Sequence, residues 1–248
     1  MSDRDAAMSD RDAAMSDRDA AMSDRDAAMT DGRRVATADV LYPFLAPPSV
    51  GIDGLLEDVR RSTVAKARDI ATLRERLRAE LAPAIIACAR ALARAFGAGR
   101  QLLAFGNGGS ATDAEAVAAL FRRPPRGRPL PAQALAADHA TITALANDVS
   151  FDVVYARLVA AHGAPGDVAL GISTSGNSEN VVRGLLEARQ RGLVTVALAG
   201  YDGGRMAEMT AIDHLLIVPS SSVHRIQEAQ TTLYQVLWEL TQGGLRHE

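Results

Sequence analysis

From residue 101 onward the chain alternates short apolar runs with longer stretches in which apolar residues recur at helical spacing. The runs are 101–105, 131–136, 167–172, 193–198 and 214–218. Each is too short for a helix and nearly continuous in apolar residues, as expected of strands buried on both faces of a parallel sheet. The stretches between them read as helices, so the pattern predicts an α/β fold. Upstream, 54–81 carries Leu55, Val59, Val64, Ile70 and Leu73 among many charges, the pattern of an amphipathic helix, and 84–96 reads as a second helix.

Two of the strand-to-helix junctions carry chemistry. Run 167–172 ends in Gly171-Ile172-Ser173-Thr174-Ser175-Gly176-Asn177-Ser178-Glu179-Asn180, and a helical pattern follows at once. The hydroxyls of Ser173, Thr174, Ser175 and Ser178, with the open N–H groups and dipole of the next helix, can converge on one anion. Gly176 lets the backbone approach closely. The plainer alternative is that Ser178 caps the helix and the other hydroxyls solvate a turn. Run 101–105 leads in the same way into Gly106-Asn107-Gly108-Gly109-Ser110 and a helix. Two such loops on one edge of a parallel sheet favour a ligand site over two ordinary turns.

These blocks, together with Asn147-Asp148, Asp202-Gly203-Gly204 and Arg225-Ile226-Gln227-Glu228, resemble the sugar isomerase (SIS) domain, over roughly residues 52–242. The resemblance is to its phosphoheptose isomerase branch, which includes sedoheptulose 7-phosphate isomerase and a non-catalytic relative that associates with the DnaA initiator. It implies a three-layer sandwich around a five-stranded parallel sheet, doubly wound in the flavodoxin manner, and a homotetramer built partly by the first helix. It also implies that Ser173, Thr174, Ser175 and Ser178 hold a sugar phosphate. Asn107, Gly108, Gly109, Ser110, Asp113, Asp138 and Gln227 would meet the sugar or support that contact.

The departures bear on catalysis. Isomerisation through an enediol needs a base to move a proton between adjacent carbons. In the family, a Glu ten residues after the loop serine and a His four residues before that Glu stand on one helix face. A Gln and, eight residues on, a His stand on the last helix. Here those positions hold Leu120, Ala116, Gln227 and Gln235, and His224 replaces an Asp three residues before the Gln. Ala116 and Leu120 offer zinc no donor, so no zinc is expected at the family site and no other cofactor is called for. Glu115 is turned about 140° away from Leu120 around the helix. His224 is the candidate for a replacement catalytic group, with a helix-start imidazole facing a neighbouring subunit as the plainer reading. The expected function is therefore a sugar-phosphate sensor or scaffold, with an atypical sedoheptulose 7-phosphate isomerase as the alternative.

Composition narrows the rest. At 248 residues and 48% hydrophobic content, the chain suits one α/β domain with a tail. No apolar run is long enough to span a membrane and no secretory pattern is visible, so a cytoplasmic protein is expected. The one cysteine, Cys88, lies in an Ala-rich helical run and reads as core. Met-Ser-Asp-Arg-Asp-Ala-Ala occurs four times without variation over residues 1–28. Those copies hold −4 of the net −3, leaving +1 elsewhere and no electrostatic case for nucleic acid. The expected organisation is a disordered repeat tail (1–36), a Pro-rich connector (37–51), the SIS domain (52–242) and a short end (243–248). The basic loop 122–128 reads as solvated, with a phosphate or protein partner as the other option.

Overall fold

The structure is a computed structural model and describes residues 52–246, so the repeat tail and the connector lie outside the described residues. The described residues fall into two units, divided between Thr63 and Val64. The described part of the first is the opening of helix α1 (Ile52–Gly97), where Ile52, Leu55, Leu56 and Val59 are exposed. The remaining elements belong to the second.

The second unit holds the rest of α1 and then β1 (Leu102–Gly106), α2 (Gly109–Arg122), β2 (Ala132–Ala134), α3 (His139–Asp148) and α4 (Val154–His162). These are followed by β3 (Val168–Ser173), α5 (Glu179–Gln190), β4 (Val194–Gly200), α6 (Gly204–Ala207), β5 (His214–Val218) and α7 (Val223–Gly244). The five strands pair in parallel in the order β2-β1-β3-β4-β5. Each expected strand is present, with ends moved by a few residues at most.

Alternation along the strands builds a core on each face. Leu102, Ala104, Leu170, Ile172, Leu198 and Leu216 meet Cys88, Leu92 and Phe96 of α1, Val117 and Phe121 of α2, and Ile226, Leu233 and Trp238 of α7. Leu103, Phe105, Ala169, Ala197 and Ala199 face α4 and α5 through Leu158, Val159, Val181 and Leu185. The result is the expected three-layer sandwich. Cys88 is fully buried, and burial pushes its thiol up to about 12.

Two expectations about helices change. The stretches 54–81 and 84–96 are one helix that runs through Pro83. Proline removes one backbone hydrogen bond, but Leu77, Ile85, Cys88 and Leu92 on either side of it share one buried core, which holds the two halves in line. The amphipathic face is buried only in part: Ile70 is covered, whereas Leu55, Val59 and Val64 are exposed in the single chain. The basic loop, in turn, is pinned to α7. Arg126 lies over the Trp238 ring at 5.7 Å and pairs with Glu239, and Gln242 brackets the backbone of Arg128 with bonds of 2.8 and 3.1 Å. Among the described residues no helix is long and apolar enough to cross a membrane.

Candidate functional site

From β1 the chain winds outward to β2, and from β3 it winds toward the opposite edge through β4 to β5. That reversal opens a crevice at the carboxyl ends of β1 and β3, the place where open α/β sheets hold ligands. The register sets Gly106 opposite Ile172 and Ser173 opposite Ala199, so the loops after β1 and β3 lie side by side.

The two loops are joined by a reciprocal amide pair. Asn107 Nδ2 donates to Asn180 Oδ1 at 2.8 Å, and Asn180 Nδ2 donates to Asn107 Oδ1 at 2.9 Å. Asn180 Oδ1 also accepts from the Val181 N–H at 2.9 Å, which ties the pair to the first turn of α5. Below it, the Tyr155 hydroxyl donates to the Gly106 carbonyl, and its ring packs on Phe105 at 5.1 Å.

Ser175 serves the turn, its Oγ accepting from the Asn177 N–H at 3.2 Å, but Ser178 is not spent on capping. Ser178 occupies the N-cap of α5, yet its side chain makes no cap bond. Its Oγ lies 3.0 Å from Ser173 Oγ instead, so the two hydroxyls share a hydrogen bond at the helix start. Gly108 is the N-cap of α2, and Ser110 is buried one residue inside that helix. Of the first N–H groups of α5, that of Val181 is taken by Asn180 Oδ1, whereas those of Glu179 and Asn180 precede the first i−4 carbonyl bond of the helix. Glu179, the one acid in that turn, is held by Arg183 at 2.5 Å and by Arg205; these hydrogen bonds keep its carboxyl below the usual range and offset its charge.

A third loop braces the second. Gly176 adopts φ +66°, and its Cβ position would fall 1.9 Å from the Gly203 carbonyl. Asn177 reaches both ways: its Nδ2 donates to the Ser175 carbonyl at 3.0 Å and its Oδ1 accepts from the Arg205 N–H at 2.9 Å. Sequence reasoning passed over Asn177, Asn180, Tyr155 and Arg205 as individual contributors. Two of them stand within the block 171–180 itself, and an Asn just inside a helix start was the available signal.

Other expected site residues are placed as follows. Asp138 is exposed and caps α3, accepting from the Thr141 hydroxyl at 2.6 Å and the Thr141 N–H at 3.0 Å, bonds that hold its carboxyl below the usual range. Gly109 packs against the last helix so closely that a Cβ there would stand 2.2 Å from Gln227 Nε2. Asp113 is half-buried and desolvation raises its carboxyl. Ala116 is exposed and Leu120 half-buried on the same helix, while His224, Glu115 and Gln235 are exposed.

A family model for the SIS domain matches residues 67–200. The chain belongs to the SIS-domain family. It is 47% identical to the phosphoheptose isomerase of Aquifex aeolicus (strain VF5) over 160 residues, 64% of this chain and 83% of that protein. It is 42% identical to the phosphoheptose isomerase of Geobacter sp. (strain M21) over 193 residues, 77% of this chain and 97% of that protein. Its fold superposes on the phosphoheptose isomerase of Neisseria gonorrhoeae with a TM-score of 0.70 at 33% identity, covering 75% of this chain and 99% of the other.

The SIS-domain frame allows a test of metal fit. Of the four positions that the resemblance assigns to zinc, Ala116 and Leu120 have no donor atom, and Gln227 and Gln235 offer only amides. Among the described residues no three His, Cys, Asp or Glu side chains converge. This donor set does not fit zinc, which is bound through thiolates, imidazoles and carboxylates. No step below passes through a metal.

Proposed function

We propose that this SIS-domain protein binds a phosphorylated ketose of the heptulose type and interconverts it with the corresponding aldose. The support is twofold. Its relatives at 42–47% identity carry the name phosphoheptose isomerase, which favours turnover over a role as sensor or scaffold alone. The observation that carries the binding half is the Ser173–Ser178 hydroxyl pair, left unspent by capping and set at the amino-terminal end of α5 at the sheet's reversal point. In this reading Ser173, Thr174, Ser175 and Ser178 take the phosphate. Asn107, Gly108, Gly109, Ser110 and Gln227 line the sugar, Asp138 shapes the rim from its cap, and His224 is available to hand protons between the two oxygens. The exposed Leu55, Val59 and Val64 fit a homotetramer in which a second copy covers them.

A second reading, a binding protein without turnover, rests on Ala116, Leu120 and Gln235 standing where the family carries its base, its metal ligands and a histidine. The two readings part on proton exchange. Sedoheptulose 7-phosphate is incubated with the protein in deuterated buffer, with and without zinc, and followed by NMR. Deuterium entering carbon 1 with or without zinc, together with aldose product, is the expected result. Binding seen as line broadening without exchange in either tube overturns turnover and leaves the sensor. Loss of binding in the Ser175→Ala/Ser178→Ala double variant is expected, and unchanged affinity overturns the phosphate cradle.

A further inference from the structure

Gly109, Asp113, Ala116 and Leu120 are spaced i, i+4, i+7 and i+11 on α2, and so form one stripe along the helix. The stripe is turned toward α7. Gly109 at its head abuts Gln227 Nε2; further along α7, burial raises the Tyr234 hydroxyl, its bond to Thr231 lowers it, and the charge of Asp113 adds a smaller rise. Asp113 is the one titratable residue of the stripe, about 6 Å along the helix axis from Gly109 at 1.5 Å per residue.

The side of α7 that carries Gln227 is polar, and one of its side chains is unsatisfied. Gln227, Gln230 and Tyr234 fall within about 60° of one another around that helix. Gln230 is fully buried, and neither its Oε1 nor its Nε2 has a hydrogen-bond partner among the described residues. A buried carboxamide with both atoms unmet calls for a polar guest at this seam, whether water or a hydroxylated ligand.

We infer that the Asp113 carboxylate is the base that moves the carbon-bound proton in the isomerisation proposed above, an inference that rests on that reading. Asp113 takes the proton from the carbon beside the carbonyl. The C–H electron pair becomes the double bond of the enediol as the carbonyl oxygen takes up a proton from solvent. Return of the proton from Asp113 to the neighbouring carbon, with loss of the other hydroxyl's proton to solvent, gives the isomer with no net change of oxidation state. Half-burial suits the task, since a carboxylate stripped of part of its water is a stronger base than a solvated one. His224, exposed at the start of α7, lacks that environment.

The test compares full-length wild type, Asp113→Asn, Asp113→Glu and His224→Gln, each checked for an unchanged thermal transition, in deuterium exchange, turnover and binding of sedoheptulose 7-phosphate. The expected result is exchange and turnover in wild type, a fall of about 100-fold or more in both for Asp113→Asn with affinity kept within about threefold, and partial recovery in Asp113→Glu. Turnover by Asp113→Asn within about threefold of wild type overturns the inference. So does a parallel loss of binding and turnover that Asp113→Glu does not relieve, or a loss confined to His224→Gln. A wild type that binds without exchanging defeats the isomerase reading itself and the base with it, which is a different failure from an active wild type matched by an active Asp113→Asn.

Discussion

Asn107 and Asn180 exchange both of their side-chain hydrogen bonds across the crevice between β1 and β3, at 2.8 and 2.9 Å. The pair makes one rigid floor from two loops that lie 73 residues apart in the chain. Each carboxamide donates through its nitrogen and accepts through its oxygen, so the two side chains satisfy each other in this geometry.

Substitution of Asn180 should therefore separate stability from binding. Asn180→Leu leaves the Asn107 amide half-buried and unpaired, and should cost about 1–3 kcal/mol in chemical denaturation. Asn180→Asp keeps an acceptor for Asn107 Nδ2 and for Val181 N–H but places a negative charge beside the proposed phosphate cradle. Its denaturation midpoint should fall less than that of the leucine variant, while its affinity for a sugar phosphate falls more. Equal affinity for wild type and Asn180→Asp in titration calorimetry would contradict the placement of the phosphate.

Gly176 and Gly99 both hold positive φ, +66° and +73°, but differ in what surrounds them. A Cβ on Gly99 meets nothing within 4 Å, whereas one on Gly176 would strike the Gly203 backbone. Gly99→Ala should cost only the backbone strain of the left-handed region, about 1 kcal/mol. Gly176→Ala should lose roughly 2–4 kcal/mol and its ligand affinity as well, because the loop after β3 must part from the loop after β4. Similar denaturation curves for the two variants would show that the contact between these loops is not needed.

His214, the first residue of β5, is partly buried; desolvation lowers its pKa from 6.5, Asp213 opposes the shift and Arg94 adds to it. Above pH 6.5 the imidazole is neutral in both folded and unfolded chains and contributes no pH dependence. As pH falls below 6.5 the unfolded chain takes up a proton that the fold resists, so stability declines until the folded value is reached. His214→Gln should flatten the dependence of the denaturation midpoint on pH just below 6.5 relative to wild type. Parallel curves for the two proteins would rule His214 out as a source of acid sensitivity.

The fold was legible in the chain because parallel strands covered on both faces must be apolar throughout, and the five runs at 101–105, 131–136, 167–172, 193–198 and 214–218 leave little else to read. The two site loops were legible for a related reason: a Gly-rich or Ser-rich segment between such a strand and a helix has few structural duties that need so many hydroxyls and amides. The break expected at Pro83 was misread, since local propensity rules out proline in a helix while packing on both sides of it can hold the helix together.

Sequence by itself determined the residue types: an α/β chain, its order of elements, two polar loops, and the want of donors at Ala116 and Leu120. Only the tertiary structure decided the pairings. It joined Asn107 to Asn180, turned Ser178 from capping toward Ser173, spent Asp138 on a helix cap, braced Gly176 against Gly203, packed Gly109 against Gln227, and buried the amide of Gln230 without a partner among the described residues. Each of these depends on the strand order β2-β1-β3-β4-β5 and on how the helices pack over it. Contacts between residues tens of positions apart are fixed by that packing, and no local pattern along the chain encodes them.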